Sequence, residues 1–155
     1  MSLIEIRGGI VEVDREDEGL IGQYKWRVGG KGYVVRNLPS PRRGERVLLH
    51  REILERMGEE MGGKQSDHKN RNKLDNRREN LRAATSAQNN WNRKVNRVSQ
   101  SQVKGVRWRA KKGRWEGEIK VEGRVVWRKA FRTKAAAEQK RREVLPQYHG
   151  EFARM

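Results

Sequence analysis

The chain has 155 residues, of which 37% are charged and 34% hydrophobic, and its formal net charge is +17 at pH 7. This length accommodates one ordinary domain or two small ones, and the composition predicts thin cores. The excess of lysine and arginine favours a polyanion partner, but ribosomal and chromatin-like packing proteins share it, so charge alone does not predict an enzyme. The lack of cysteine excludes disulfides and thiolate zinc sites.

The positive charge is distributed unevenly along the chain. Residues 1–65 carry a net charge of +1, residues 66–98 carry +6 and residues 99–155 carry +10. We therefore expect the anion-binding surface in the middle and C-terminal segments, with the first segment as a scaffold. No apolar run has the length of a membrane span or the pattern of a signal peptide, which predicts a cytoplasmic protein without a membrane partner.

The first segment is predicted to form short strands followed by a helix. Alternation of apolar and polar residues predicts strands at 3–7, 9–13, 24–28 and 33–35. Residues 14–18 are predicted to be a charged turn. From Val47 onward the apolar spacing becomes helical, and Gly58 or Gly62-Gly63 is expected to stop the helix.

A polar run from residue 66 to residue 93 contains the pair Asp67-His68 and seven asparagines. Such residues are unsuited to a core, because each buried amide or charge needs a partner. An imidazole can accept a proton near neutral pH, and carboxylate and amide oxygens are ligands that Mg²⁺ accepts. The run therefore fits a metal-assisted phosphodiester hydrolase. The structural alternative is a loop that Asp75 and Asn76 close before a helix begins.

The spacing within this run resembles the HNH endonuclease family. Asn80 follows His68 by twelve residues and Asn89 follows Asn80 by nine. In that family a ββα-metal site sets a DH strand opposite a second, Asn-bearing strand, with a helix after it. The resemblance implies that Asp67 and Asn89 hold Mg²⁺ or Mn²⁺. It also implies that His68 is the general base and that Asn80 orients His68 through its ring nitrogen or backbone.

Two assignments stay open at this point. Asn90 and Asn92 are alternatives to Asn89, and Asn89 and Asn92 lie near one face of a helix because they are three residues apart. His50, in a Leu-His-Arg stretch of the kind found ahead of phage HNH sites, is a candidate second catalytic histidine. Its apolar neighbours Leu49 and Ile53 favour a structural role.

The C-terminal segment is predicted to form three strands and one helix. The strands are expected at 103–109, 114–121 and 124–128, separated by glycine-containing turns. Thr133 is a candidate N-cap for an alanine-rich helix, which we expect to end before Pro146. Arginine and tryptophan alternate along the strands, so one face of this sheet is a candidate nucleic-acid surface.

This segment resembles the plant ethylene-response-factor (APETALA-type) DNA-binding domain. The matching text is Lys-Gly-Val-Arg at 104–107, Trp115 with Glu118-Ile119, and Val126-Trp127 with Phe131. In that family the sheet enters the major groove, so the resemblance implies double-stranded DNA as the partner. The candidate DNA-binding residues, taken from the resemblance and from the arginine-rich strands, are Lys104, Arg107, Arg109, Arg114, Lys120, Arg124, Trp127 and Arg128. For Trp108 and Trp115 packing against the helix is favoured over DNA contact.

These observations predict an α+β protein in three parts. Residues 1–95 would be an HNH nuclease domain, made of strands and a helix at 1–65 and the ββα-metal motif at 66–95. Residues 96–101 would be a linker, and residues 102–155 the APETALA-type domain. The two resemblances together imply a phage-type homing endonuclease that acts as a monomer on DNA in an infected bacterial host. The alternatives are a non-catalytic DNA-binding regulator and a basic RNA-binding protein.

Overall fold

The computed structural model describes residues 1–42, 44–93, 95 and 99–153, and the chain divides into two units, Met1–Ser86 and Ala87–Met155. Small antiparallel sheets and helices occur in the chain, which confirms the predicted α+β class. Among the described residues, no helix combines the length and the apolar character that crossing a bilayer requires.

The described residues of the first unit form three small sheets and two α-helices. Its strands are β1 Ser2–Ile6, β2 Gly9–Val13, β3 Arg27–Val28, β4 Val34–Asn37, β5 Arg46–Leu48, β6 Gln65–His68 and β7 Leu81–Ala84, and its helices are α1 Glu18–Gln23 and α2 Leu49–Arg56. Strands β1 and β2 form one hairpin, β6 and β7 form another, and β3, β4 and β5 form a sheet in that order. All of these pairings are antiparallel.

Helix α2 lies at the centre of the first unit. Leu49, Ile53 and Leu54 are fully buried. Leu49 and Ile53 share one helix face because they are four residues apart, and Leu54 lies at the edge of that face. This face packs in one cluster with Val11 and Val13 of β2 and other apolar side chains. His50 follows Leu49 on the buried side, so the core of this unit also carries an imidazole inward.

Two predictions for the first unit were wrong in detail, and one helix was missed. The expected turn at 14–18 is present as a 3-10 turn, but helix α1 follows it, and its two buried residues Leu20 and Ile21 are too few to show a helical period. The expected strand at 24–28 shortens to β3, and the Trp26 indole donates a hydrogen bond to the Leu20 carbonyl (3.0 Å). The helix expected from Val47 begins at Leu49, because Val47 pairs with β4.

The second unit contains a three-stranded sheet and a long helix. Helix α3 Ser86–Asn92 comes first, followed by β8 Val106–Arg109, β9 Arg114–Val121, β10 Arg124–Phe131 and helix α4 Lys134–His149. The sheet order is β10-β9-β8, with β9 in the centre. The three predicted strands and the helix that follows them are confirmed.

The start of α4 agrees with the prediction, but its end does not. The Thr133 hydroxyl accepts a hydrogen bond from the Ala136 amide (3.1 Å), as an N-cap should. The helix continues through Pro146 to His149, although Pro146 has no amide hydrogen to donate within the helix. Leu145 is buried, and His149 Nε2 bonds to the Lys120 carbonyl (3.1 Å), so the last turn is anchored to the sheet.

The division between the units lies at Ser86, ahead of the boundary predicted after residue 95. The end of α3 belongs with the second unit, because the Lys104 ammonium bonds to the Asn90 and Trp91 carbonyls and Trp91 stacks on His149. Of the predicted linker 96–101, residues 96–98 lie outside the described residues.

Candidate functional site

The β6–β7 hairpin carries the central pair of candidate residues. Asp67 lies opposite Arg82 in the ladder, and His68 lies opposite Leu81. Successive residues of a strand point to opposite faces, so Asp67 and Arg82 share one face while His68 and Leu81 share the other. Leu81 belongs to the core of the first unit, and the His68 face is therefore the core side.

His68 is buried in a small aromatic cluster. Its ring centroid lies 4.8 Å from that of His50 and 6.1 Å from that of Tyr33. Only 4% of the residue is exposed. Its Nε2 atom lies 3.3 Å from Oδ1 of Asn76, a residue that is itself fully buried.

The bond to Asn76 determines which nitrogen of His68 is basic. The Asn76 amide nitrogen donates to the Lys73 carbonyl (3.2 Å), and this bond directs Oδ1 toward the ring. An amide oxygen can only accept, so His68 Nε2 carries the hydrogen and the lone pair of the neutral ring is on Nδ1. Burial lowers the pKa of His68, and the Asn76 bond and Asp67 offset this only in part. The ring is thus held in its neutral, proton-accepting form at neutral pH.

His50 has the environment of a packing residue, in agreement with the structural interpretation. It is 2% exposed, and its Nδ1 atom has no hydrogen-bond partner among the residues the structure describes. Burial and then the neighbouring His68 lower the pKa of His50 to about 3. The second imidazole of the cluster is therefore also neutral over the physiological range.

Asp67, the first candidate metal ligand, takes part in an ion pair. Its Oδ2 atom accepts bonds from Arg82 Nε (3.0 Å) and Arg82 Nη2 (2.9 Å), and both side chains are nearly buried. A carboxylate oxygen is a suitable donor for a hard divalent ion. Within the described ranges, no group of three or more His, Cys, Asp or Glu side chains has the geometry of a metal cluster.

Asn80 fastens the backbone that follows His68. Its amide oxygen accepts from the Asn70 amide (2.9 Å), and its amide nitrogen donates to the Asp75 carbonyl (2.7 Å). Its own carbonyl accepts from the Lys69 amide (2.8 Å), next to His68. The predicted orientation of His68 by Asn80 can thus operate only through the backbone, since the amide that reaches Nε2 is that of Asn76.

Buried carboxylates brace the loop between β6 and β7. Asp75 accepts Arg77 Nε and Nη2 at 2.8 Å each, and this hydrogen bonding lowers the pKa of Asp75. Asp17, fully buried, accepts Arg78 Nε (2.8 Å) and Nη2 (3.0 Å). Sequence reasoning named Asn76 only as a loop-closing residue and missed its contact with His68. It also missed the pairing of Asp17 with Arg78, because these residues are 61 positions apart.

The remaining candidate ligand, Asn89, is half-buried in helix α3. Of its two alternatives, Asn90 accepts a side-chain hydrogen bond from Arg93 Nη1 (3.1 Å), and Asn92 is buried. Because α3 lies across the division between the units, the partnership of Asn89 with Asp67 stays a prediction.

Comparison with known proteins addresses the motif directly. Residues 47–91 match the model of a family described as HNH endonuclease. The chain is also 33% identical over 94 residues to Protein 3.8 of Escherichia phage T7, and the alignment covers 57% of this chain and 72% of the T7 protein. The chain belongs to the family of T7 Protein 3.8 and carries an HNH endonuclease domain. No solved structure matches the chain significantly.

The HNH match begins in β5 and ends at Trp91 in α3, so it includes α2, the β6–β7 hairpin and most of α3. It thereby confirms the predicted HNH motif at the level of the family. The APETALA-type resemblance concerns residues beyond this match and stays a prediction.

In the second unit of the HNH protein, basic side chains cover one face of the sheet. We call this the arginine face, and the ladder assigns to it Arg107, Arg109, Arg114, Lys120 and Arg128. Two glutamates of β9 lie among them. Glu116 accepts bonds from Arg107 (2.7 Å) and Arg109 (3.0 Å), and Glu118 accepts bonds from Arg107 (2.7 Å) and Arg128 (2.6 Å).

The glutamates of the arginine face remain charged. Burial raises the pKa of Glu116, but the hydrogen bonds from Arg107 and Arg109 outweigh it and leave that pKa below its ordinary value. Burial likewise raises the pKa of Glu118, but the hydrogen bond from Arg128 and the neighbouring positive charges together outweigh it and leave that pKa below its ordinary value. The guanidinium groups are therefore fixed by their carboxylates while they stay 40% to 48% exposed.

Three of the predicted DNA-binding residues lie elsewhere. Lys104 binds the C-terminal carbonyls of α3, where a cation stabilises a helix end. Arg124 lies opposite Val121, out of phase with the arginine face. Trp127 packs on Gly117, where an added Cβ would come within 2.9 Å of its ring. A DNA contact by these three residues stays a prediction, and it does not come from the arginine face.

The tryptophans of β8 and β9 pack on each other. Trp108 lies opposite Trp115 in the ladder, with ring centroids 5.5 Å apart. Both are on the face that does not carry the arginines. Trp108 is 36% exposed, so its packing is incomplete.

Proposed function

We propose that this protein is a metal-dependent DNA endonuclease of the homing type, in which His68 acts as the general base. The observation that carries the proposal is the fixed, neutral state of His68 within the residues that match the HNH family. A general base must be unprotonated at the operating pH, and it must present its lone pair in one direction.

The protein's own residues would each do a defined part of the reaction. His68 Nδ1 accepts the proton of the attacking water, the new bond forms between that water oxygen and phosphorus, and the bond from phosphorus to the 3′ oxygen breaks. Asn76 holds Nε2–H and thereby the tautomer. Asn80 holds the backbone next to His68, so the ring keeps its place during the proton transfer.

A divalent cation, Mg²⁺ or Mn²⁺, would be held by Asp67 and Asn89. When bound, it supplies Lewis-acid stabilisation of charge on the leaving 3′ oxygen. The donor set fits in kind, since carboxylate and amide oxygens are the hard ligands these ions take. Arg82 shares the Asp67 carboxylate, and we expect this ion pair to loosen when the cation binds.

Double-stranded DNA is the proposed substrate, bound by a monomer inside a phage-infected bacterium. The arginine face supports this proposal, because fixed and half-exposed guanidinium groups suit phosphate oxygens and guanine edges. The face would supply affinity and register, and the HNH domain would supply the cut. A single site in a monomer is expected to nick one strand.

The test is cleavage of supercoiled plasmid and phage DNA by the full chain with Mg²⁺ or Mn²⁺. Cleavage should stop in EDTA, and His68→Ala should reduce the rate by about 10²- to 10⁴-fold. The variant should bind DNA with wild-type affinity, which separates catalysis from binding. Cutting that persists in EDTA would remove the metal from the proposal, and an equal loss of binding would make His68 a structural residue.

A second candidate is a DNA-binding protein that retains the HNH fold without cutting. Two observations favour it: Asp67 is ion-paired to Arg82, and Asp67 and His68 point to opposite faces of the hairpin. The same assay decides between them. Specific binding with no cleavage under either cation would establish the second candidate.

A further inference from the structure

The loop after His68 contains an arginine in an unfavourable backbone conformation. Arg71 has a φ of +67°, in the left-handed region that glycine and asparagine occupy most readily. The loop holds it there from both sides. The Asn70 side chain accepts from the Asn72 amide (2.7 Å) and donates to Asp75 (2.6 Å), while the Asn72 side chain accepts from the Leu74 amide (3.2 Å).

Arg71 also differs from the other arginines of this motif. Arg77, Arg78 and Arg82 each bind a buried carboxylate, on Asp75, Asp17 and Asp67 respectively. The Arg71 side chain is exposed, and no ion-pair partner for it exists in the part of the chain that the structure describes. An exposed guanidinium without an ion-pair partner, held at a fixed place in the loop, is available to an anionic ligand.

The location of Arg71 defines what that ligand is. Its amide donates to the His68 carbonyl (2.9 Å), so the residue extends from the same turn as the general base. A guanidinium presents a planar set of donors that matches phosphate oxygens. Because a water activated at His68 attacks a phosphate of DNA, the neighbouring phosphates of that strand would pass close to the turn.

We propose that Arg71 binds a backbone phosphate of the DNA strand being cut, beside the scissile phosphate. This inference rests on the proposed function of the His68 site. Arg71 thereby positions the strand for attack, and its exposed side chain is accessible to that strand. The contact is to phosphate and sugar-phosphate geometry, so it carries no base preference.

The experiment uses the full chain and compares Arg71→Gly, Arg71→Lys and Arg15→Gln. The glycine variant relieves the backbone strain at position 71 and removes the positive charge, whereas the lysine variant keeps both. Arg15, an exposed arginine of the same unit, serves as the matched control. Three quantities are measured for each: Tm, kcat/KM for DNA cleavage, and the dependence of DNA affinity on salt concentration.

We expect Arg71→Gly to melt at or above the wild-type Tm while its kcat/KM falls by about tenfold. The slope of log affinity against log salt should become shallower by about one, as for loss of one phosphate contact. Arg71→Lys should keep the slope and most of the activity, and Arg15→Gln should match wild type in cleavage.

The inference is overturned if Arg71→Gly cleaves DNA as wild type does, or if Arg15→Gln reduces cleavage equally. A wild-type protein that binds DNA without cutting it refutes the proposed function, and the salt slope of Arg71→Gly then still tests the phosphate contact. A lower Tm with proportional loss of activity in both Arg71 variants would make the residue structural and also overturn the inference.

Discussion

Both units contain ion pairs between an arginine and a buried carboxylate, but the exposure of the arginine differs between them. In the first unit the arginine side chains are the less exposed ones: those of Arg82 and Arg78 are 9% and 27% exposed. On the arginine face the carboxylates are equally buried, but Arg107 and Arg128 remain 41% and 48% exposed. A buried carboxylate can therefore bind an arginine that is itself largely buried, which stabilises the fold. It can also orient an arginine that stays exposed and accessible to an external anion.

The largest expected effect comes from removing a brace in the first unit. Asp17→Ala leaves the Arg78 guanidinium without its buried carboxylate, and we expect a loss of about 3–5 kcal/mol in the free energy of unfolding. The matched control is Glu16→Ala, which removes an exposed carboxylate from the same arginine and should cost under about 1 kcal/mol. Urea unfolding measures both. Equal losses would show that burial of the carboxylate does not distinguish the two partners.

The buried histidine His50 should make the free energy of unfolding depend on pH. The pKa of His50 is lowered to about 3, so below pH 6.5 the unfolded chain binds a proton there that the folded chain does not. Stability should therefore fall as pH falls from 6.5 toward 3, by about 1.4 kcal/mol per pH unit for this group. His50→Gln should make unfolding free energy measured between pH 6.5 and 5 less dependent on pH. An unchanged slope in the variant would contradict this assignment.

On the arginine face, removing a carboxylate should weaken DNA binding although it makes the protein more positive. Glu118→Gln removes the charged acceptor of Arg128 and one of the two acceptors of Arg107. The orientation of Arg128 should therefore be lost, and we expect about a tenfold lower affinity for duplex DNA. Glu122→Gln removes the same charge from an exposed turn and should leave affinity equal or higher. Stronger binding by both variants would mean that net charge, not orientation, governs this face.

The smallest expected effect is on the stability of the second unit. Arg107→Ala leaves Glu116 with Arg109 and Glu118 with Arg128, so the free energy of unfolding should change by under about 1 kcal/mol. Its salt dependence of DNA binding should nevertheless become shallower by about one phosphate contact. A loss of several kcal/mol in the free energy of unfolding would show that Arg107 stabilises the fold as the buried ion pairs of the first unit do.

Much of the fold could be predicted because its signals are local. The alternation in β1, β2 and the three C-terminal strands, and the Thr133 cap, depend on neighbouring residues alone. The family of the motif was also readable, since it depends on the spacing of Asp67, His68, Asn80 and Asn89. Pro146 misled the prediction because a terminal turn anchored by His149 tolerates what a mid-helix position does not.

The rest of the site depends on partners distant in sequence. The Asn76 amide reaches His68 only because the loop closes on itself, and His50 meets His68 only because α2 packs beneath the hairpin. The sequence likewise could not predict which side chains of β10 share a face, because a bulge between Val125 and Trp127 changes the phase of the alternation. This shift separates Arg124 from Arg128.

The bonds from Lys104 to the carbonyls at the end of α3 limit where this chain can be joined to another protein. The carbonyls of Asn90 and Trp91 are satisfied by Lys104, and the Trp91 indole is covered by His149 from the far end of the chain. A chimera joined between residues 95 and 102 would therefore deprive α3, the helix that carries Asn89, of the Lys104 cap and of the His149 ring that stacks on Trp91. Such a chimera should keep α3 together with the C-terminal unit.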